Sequence, residues 1–525
     1  MTNSIKGGAA KGSGQRDSLW TSTCKTGGRS SLPEDYSERE AVVIGGGMAG
    51  ILTAHMLKEK GLDTVILESD RIGSGTTGYT TAKITAQHNL IYDRLISSEG
   101  IEKARQYARA NMQALSNYRK IISERNIDCS FEEKPAYLYT LEKEGAEELK
   151  KEAEAAIKLG IHGEFLEASD LNREKGWGLP FTAEAALRFS GQAQFHPLKF
   201  LKAIAQDLNI FESTRVTDVQ LAGSASAPQD SERSVVITEK GQISARYVIF
   251  TCRFPFLIMP GYYFARMYQD RSYFLGLRGC PDVNGLYLGI DKPAWSFRNH
   301  EDILLFGGLS HRSGENEEGG YFKALRDQAA RWYPGAEELY AWSTQDCMPL
   351  DGVPYMGVYA QDRPNWYVAS GFQKWGMSSS MVAADIISSA IAGKPFEVAT
   401  EGADVFSPHR FTVPVSAKKL WDDVKTISVG LVSEVFSMPN GEAASVEPGH
   451  GGVVEYKGEK TGIYRDESGK VFAVATRCSH MGCQLAWNPD ELSWDCPCHG
   501  SRFNILGEVI SGPAIKSPGA LGGAD

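Results

Sequence analysis

The stretch AVVIGGGMAGILTAHMLKEKGLDTVILE, residues 41 to 68, decides how most of the chain is read. Ala41 to Ile44 is a short apolar, β-branched run, the pattern of a buried strand. Gly45, Gly47 and Gly50 then follow the spacing G-x-G-x-x-G, with Met48 and Ala49 between the last two, and a helical run reaches Lys60 before Gly61 closes it. The glycines permit a tight turn and a close approach of backbone to a pyrophosphate, while the helix start offers free N–H groups and a positive dipole end. A second strand, Thr64 to Leu67, ends in Glu68, 18 residues after Gly50 and placed to accept hydrogen bonds from a ribose. Strand, glycines, helix, strand and acid in this order predict a dinucleotide-binding βαβ unit. The acid disfavours a 2′-phosphate, which leaves FAD or NAD.

The rest of the chain is organised around that unit. With 525 residues, 42% of them hydrophobic, it has length for two or three domains. Its net charge of -10 and the absence of any long basic run argue against nucleic acid as a partner. The most apolar stretch, Tyr247 to Met259, is short and interrupted by Arg253, so no membrane span is expected and a soluble cytoplasmic protein is predicted. Residues 1–35 are rich in Gly, Ser, Thr and Lys and read as a flexible segment, with Leu19 and Trp20 as its docking point. Residues 36–410 mix strand-like runs (Tyr247 to Cys252, Ile303 to Phe306, Trp366 to Ala369) with helical ones over 101 to 124 and 142 to 159. Helical signal ends near Gly393, and residues 411–427 read as a linker containing Pro414. Beyond it, residues 428–525 break into short β-like segments: Gly452 to Tyr456, Thr461 to Arg465 and Val471 to Ala475.

Four of the nine cysteines, Cys478, Cys483, Cys496 and Cys498, fall within 21 residues of this last part. That clustering speaks for a metal or cluster site over a secreted disulfide scaffold. Cys478-Ser-His480 and Cys496-Pro-Cys498-His499 form C-x-H, a 15-residue gap, and C-x-x-H. Two thiolates and two imidazoles so arranged fit a [2Fe–2S] centre of Rieske type. Zinc, which also takes two cysteines and two histidines, is the alternative.

Three segments carry a wider resemblance. ESDRIGSGTTG (68–78), DCMPLDGVPYMG (346–357) and GFQKWGMSSSMVAADIISSAIAG (371–393) resemble motifs of the D-amino-acid-oxidase-like (DAO) flavoproteins. The resemblance implies FAD, with Ser69, Arg71, Gly75, Thr76 and Thr77 along the pyrophosphate and flavin. It sets Gly371, Trp375, Gly376, Met377 and Ser378 at the flavin pyrimidine edge, Ser378 to Ser380 opening a helix there. Together with GTTGYTTAKITAQH (75–88) and the cysteine segment, the chain looks like the bacterial FAD-dependent oxidoreductases that carry a C-terminal Rieske domain. The expected fold is therefore α/β (α+β): a Rossmann-like FAD-binding domain with an inserted mixed-sheet substrate domain, then an all-β Rieske domain.

That resemblance also implies roles. Cys478 and Cys496 would bind the buried iron, His480 and His499 the outer one, and Cys483 and Cys498 would form the disulfide found in quinol-oxidising Rieske proteins. Ser501 matches a hydroxyl donor to the cluster, while Phe503 stands where high-potential members have Tyr. Flavin attachment positions of relatives fall on Tyr79 and near Cys347, neither matching the attachment pattern. The implied activity is dehydrogenation of the C–N bond of a small amine or amino acid, with Lys374 as a candidate cationic partner at the flavin. Electrons would pass from FAD to the cluster and on to an external one-electron acceptor or donor. Two alternatives stand beside it: a non-enzymatic electron-transfer or redox-sensing flavoprotein, and an O2-using amine oxidase.

Overall fold

In the computed structural model, residues 16–33, 38–171, 177–222, 233–393, 403–410, 445–456 and 459–519 are described. Ala41, Val42 and Val43 are wholly buried because the strand Glu38–Ile44 lies inside a sheet covered on both faces. Val42 pairs in parallel with Val65 on one side and Val248 on the other. The sheet runs Tyr355–Ala360, Arg363–Ser370, Gln242–Phe250, Glu38–Ile44, Thr64–Leu67, Asn209–Phe211, so the dinucleotide unit sits at its centre. The helices Met48–Glu59 and Gly376–Ile391 share one core through Met48, Ile51, Met381 and Ile387.

Between the strands Thr64–Leu67 and Arg363–Ser370 the chain builds a second, nine-stranded mixed sheet. Its order along one edge is Glu337–Pro349, Met267–Arg278, Ile303–Arg312, Ser296–His300. Helices Ile101–Glu124 and Lys143–Lys158 belong to this part, as their sequence predicts. The C-terminal part has a three-stranded sheet (Gly451–Tyr456, Glu459–Arg465, Val471–Ala475) and a four-stranded one (Ala486–Asn488, Ser493–Asp495, Arg502–Phe503, Val509–Ser511). Trp487, Trp494 and Phe503 pack there against all four clustered cysteines.

One expectation is corrected. Residues 16–33 are not a loose tail: Leu19 and Trp20 are buried, and the segment straps the flavin motif. Ser18 Oγ donates to Gly78 O, Trp20 Nε1 to Thr80 O at 2.6 Å and Thr26 Oγ1 to Ile72 O at 2.6 Å. Glu212 accepts from the backbone N–H groups of Gly28 and Arg29, both at 2.9 Å. Composition counts apolar burial and misses this, because polar contacts to the body hold most of the strap. Residues 1–15 and the 411–427 linker lie outside the described residues.

Candidate cofactor sites

The glycine turn is built as its spacing requires. Gly45 has φ +111, and a Cβ on Gly50 would lie 1.9 Å from Gly45 O and 2.7 Å from Thr251 Oγ1. Helix and strand therefore touch through backbone alone at Gly50. Thr77 Oγ1 accepts from Met48 N at 3.0 Å, tying the second motif to the start of the first helix. Glu68 accepts from Gly46 N at 2.7 Å and Asp70 N at 2.9 Å, and Ser69 Oγ donates to it at 3.2 Å. Burial raises its carboxyl above the ordinary range despite these bonds. A Cβ on Gly75 or Gly376 would meet nothing within 4 Å, so both present bare backbone to open space, as a cradle for a flat cofactor needs. The Arg71 guanidinium is exposed, 3.7 Å from Asp70.

The helix start at Gly376 is pinned from beneath. His88 stacks on Trp375 with ring centroids 4.9 Å apart. Its Nε2 lies 2.7 Å from Thr85 O and 2.9 Å from Ser378 Oγ, while Nδ1 lies 2.6 Å from Tyr107 OH. The carbonyl can only accept, so Nε2 carries the proton and Nδ1 accepts from Tyr107. Burial pushes His88 down to about 3, and it stays neutral. Tyr118 OH donates to Met377 O at 2.9 Å. The hydroxyl of Ser378 is thus engaged in the core, and the helix is buried along most of its length. His88 ends the GTTGYTTAKITAQH segment, and nothing in its spacing assigns it this role.

Above this floor lies a polar group of side chains. Lys374 Nζ donates to Ser272 Oγ at 2.9 Å and to Ser310 Oγ. Thr344 and Asp346 pair across the strands with Ser272 and Asp270. The Thr344 hydroxyl is buried without a partner. Burial lifts Asp346 to about 6 and raises Asp270 as well, with Lys374 pulling both back. Strand alternation puts Thr344 and Asp346 on the same face as Trp342, whose Nε1 donates to Tyr79 O at 2.9 Å. That face looks onto the 75–79 segment.

The opposite face of the same strand, Glu337–Pro349, looks onto the cysteine loops. Gln345 Nε2 donates to Gly500 O and to Gln269 Oε1, both at 2.7 Å, and Gln269 Nε2 donates to His499 O. Arg312 donates to Pro497 O at 3.1 Å and Cys498 O at 3.2 Å. Phe254 and Phe264 meet the His499 ring at 6.1 and 5.9 Å. Thr76 Oγ1 donates to Gln345 O at 3.1 Å from the flavin-motif side. One strand therefore divides the two sites.

Cys478 and Cys496 are buried free thiols in mutual contact, and the hydrogen bond with Cys496 is the first cause holding Cys478 down at about 7. The His480 and His499 rings lie 5.0 Å apart. His480 Nδ1 and both ring nitrogens of His499 are buried without a partner, a cost that a metal ligand would remove. A disulfide joins Cys483 to Cys498. The sulfurs of Cys483, Cys496 and Cys498 lie within 4.8 Å of one another, but two are spent in that bond, so the donor set that fits a two-iron cluster is Cys478, His480, Cys496 and His499. Ser501 Oγ accepts from Ala514 N at 3.0 Å and reaches the Cys478 thiol.

Comparison with known proteins decides between the open readings. Residues 40–390 match the family model of the FAD dependent oxidoreductases (DAO), and residues 437–520 that of the Rieske [2Fe-2S] domain. The chain belongs to the DAO family of FAD-dependent oxidoreductases and carries a C-terminal Rieske domain. FAD and a [2Fe–2S] cluster are its cofactors. The chain is 37% identical over 517 residues to a Rieske 2Fe-2S iron-sulfur protein of Bacillus subtilis (strain 168), YhfW, covering 95% of this chain and 96% of that one. It is 30% identical over 217 residues to the gamma-glutamylputrescine oxidoreductase of Escherichia coli (strain K12), covering 40% of this chain and 48% of that one. Its fold is that of an L-proline dehydrogenase from P. horikoshii, with TM-score 0.58, 17% identity, and coverage of 72% and 98%. Among the described residues no helix is long and apolar enough to cross a membrane.

Proposed function

We propose that this oxidoreductase dehydrogenates the C–N bond of a small amine or amino acid and delivers the electrons, within one chain, to its Rieske cluster and then to an external acceptor. When bound, FAD supplies hydride acceptance and the cluster supplies one-electron carriage. Gly45, Gly47, Met48, Ala49, Gly50 and Glu68 are the FAD-binding residues of the first motif, and Gly75, Thr76, Thr77, Gly371, Trp375, Gly376 and Met377 those at the ring. Ser378 joins them indirectly, by fixing His88 under Trp375. Cys478, His480, Cys496 and His499 are the cluster ligands.

The substrate side follows from the polar group above Trp375. An amine is mostly protonated near neutral pH and must lose a proton before hydride can leave the carbon beside it. Asp270 and Asp346 offer carboxylates to that ammonium, and Asp346, raised to about 6, is suited to take its proton. Lys374, held by Ser272 and Ser310, offers its ammonium to the carboxylate of an amino acid. The amine-directed E. coli relative supports the same class of substrate.

One observation carries the electron-transfer half of the proposal: Gln345 belongs to both sites, its carbonyl bonded to Thr76 and its amide to the loop of Cys496 and His499. Anaerobic titration of holoprotein with a panel of amines and amino acids tests the whole. The expected result is bleaching of the flavin followed by the electron-paramagnetic-resonance signal of a reduced Rieske cluster. Bleaching that never reaches the cluster, together with undiminished O2 turnover in a Cys496→Ser variant, would favour the oxidase reading. No bleaching by any member would favour a carrier.

A further inference from the structure

We infer that the surface around His480 is the docking face for a small acidic one-electron carrier protein, and that His499 serves the flavin side alone. This rests on the Rieske assignment above, though not on the identity of the organic substrate. The two imidazoles are inequivalent. His499 is 1% exposed, enclosed by Phe254, Phe264 and the Gln269 amide of the flavoprotein body. His480 is half-buried, and Met481 beside it is 36% exposed. Among the described residues His480 is the cluster ligand with a solvent edge, and an outside redox partner would approach the cluster there.

The rim of that surface is apolar and basic. Tyr262, 54% exposed, packs edge-on against Phe264, and Met259 is 65% exposed, so the flavoprotein loop continues the apolar surface away from the cluster. Ser479 Oγ bonds Lys516 O, which sets Lys516 beside the His480 loop, and the Arg477 side chain folds over Gly482 in that same loop. Arg477 and Lys516 are exposed, and among the described residues neither pairs with a carboxylate. The three segments 253–268, 476–486 and 512–519 beside the histidines contain Arg253, Arg266, Arg477 and Lys516 and no Asp or Glu, and the segment that touches Pro497 adds Arg312 and Glu315. In a chain of net charge -10, a frame in which basic residues outnumber acidic ones around the exposed cluster edge is a local reversal of sign. Long-range attraction would steer a negatively charged carrier to it and turn away a basic one. An exposed apolar centre with a charged rim is also the anatomy of a transient protein interface.

The test uses holoprotein whose cluster has been reduced with dithionite and desalted anaerobically, so it does not depend on finding the amine. Re-oxidation is followed by stopped flow with three oxidants: an acidic plastocyanin, a basic mitochondrial-type cytochrome c, and a small neutral quinone. The wild-type protein is expected to react faster with the plastocyanin than with the cytochrome, at a rate that falls as salt rises. Arg477→Glu with Lys516→Glu should slow the plastocyanin reaction about tenfold at low ionic strength, invert its salt dependence, and leave the quinone reaction unchanged. Lys516→Glu alone, which keeps the Lys516 carbonyl that Ser479 binds, keeps the test valid if Arg477→Glu disturbs cluster assembly, and should slow the same reaction severalfold. Preference for the basic cytochrome, or plastocyanin kinetics indifferent to both substitutions, would overturn the inference while leaving the amine-dehydrogenase proposal standing.

Discussion

Replacing Glu491 with Ala should loosen the Rieske domain from the flavoprotein body without touching either cofactor cradle. Glu491 is buried in the Rieske domain, and its carboxylate receives Arg271 and Ser343 from the inserted sheet, with Arg502 at 3.3 Å from its own domain. The side chains of Arg271 and Glu491 are 3% and 4% exposed. Arg502 keeps Asp495 at 2.9 Å when Glu491 is removed, but Arg271 is left with only neutral acceptors and an Nε that already lacks a partner. Breaking a buried pair by removing one partner costs about 3–5 kcal/mol, or a factor of about 100 to 4000 in the docked population. The remaining contacts, among them those of Gln345, Gln269, Arg312, Asn316 and Arg253, hold the domain less rigidly, so transfer from flavin to cluster should slow while substrate bleaching of the flavin persists. Stopped-flow absorbance separates the two phases. An Arg271→Met, Glu491→Leu double variant should recover much of the loss, because it leaves no charge stranded. Acid should mimic the single variant: burial pushes Glu491 up, but Arg271 and Arg502 more than offset it and its carboxyl lies below the ordinary range. The pair's contribution is therefore present above the unfolded carboxylate pKa and is lost as pH falls through the folded one. A single variant with wild-type transfer, or a double variant no better than the single, would refute the account.

Gly50→Ala should yield protein without FAD, read from the visible spectrum, since the new methyl would overlap Gly45 O. Cys478→Ser or Cys496→Ser should remove the cluster and its iron, measured by metal analysis, because the remaining sulfurs of the site are locked in the disulfide. Trp20→Ala should cost about 3–5 kcal/mol and weaken FAD retention, followed by thermal melting with and without added FAD, because Trp20 is fully buried and holds Thr80 O. Flavin bleaching by an amine should accelerate as pH rises through about 6, where Asp346 ionises, and Asp346→Asn should flatten that profile. The same raised carboxyl means the folded state favours the protonated form, so apoprotein stability should decline as pH rises from the ordinary carboxylate range to about 6 and level off above it.

Periodicity and spacing made the two cofactor units legible. The run from Ala41 to Glu68 is local: strand, turn and helix follow one another, and glycine positions report backbone geometry directly. The cysteine and histidine spacings are equally local, within two loops of one small domain. What the residues alone left open, iron against zinc and FAD against NAD, turns on the cofactor, which sequence spacing constrains only through its ligands. Most of the rest was illegible for one reason: it is made by strands far apart in the chain. Asp270, Asp346 and Lys374 meet because two antiparallel strands and a loop converge, and nothing in DCMPLDGVPYMG marks Asp346 as facing Asp270. Arg271 with Glu491 spans 220 residues, and each reads singly as a surface charge. Of the strap of residues 16–33 only the docking point at Leu19 and Trp20 was legible, since the rest is attached through hydroxyls and backbone where apolar content is the signal.

The division of the strand Glu337–Pro349 into two faces bears on how the electrons are routed. A Rieske domain on a free tether would present both histidines to any partner, and its reduction would depend on diffusion back to the flavoprotein. Here His499 is enclosed, Gln345 and Gln269 hold its loop through backbone carbonyls, and a buried ion pair closes the same interface. Backbone acceptors fix the position of the loop whatever the redox state of the cluster, since no donor in this contact titrates. On the proposed route the arrangement separates entry from exit: one imidazole is built into the wall shared with the flavin motif and the other keeps a solvent edge. Gln345→Leu tests that separation most directly. It removes both amide donations and the oxygen that accepts from Arg271 while keeping the strand and the Thr76 bond to its carbonyl, so flavin-to-cluster transfer should slow and re-oxidation of a chemically reduced cluster should not. Equal slowing of both would mean that the loop position, and not the shared wall, governs the cluster's reactivity.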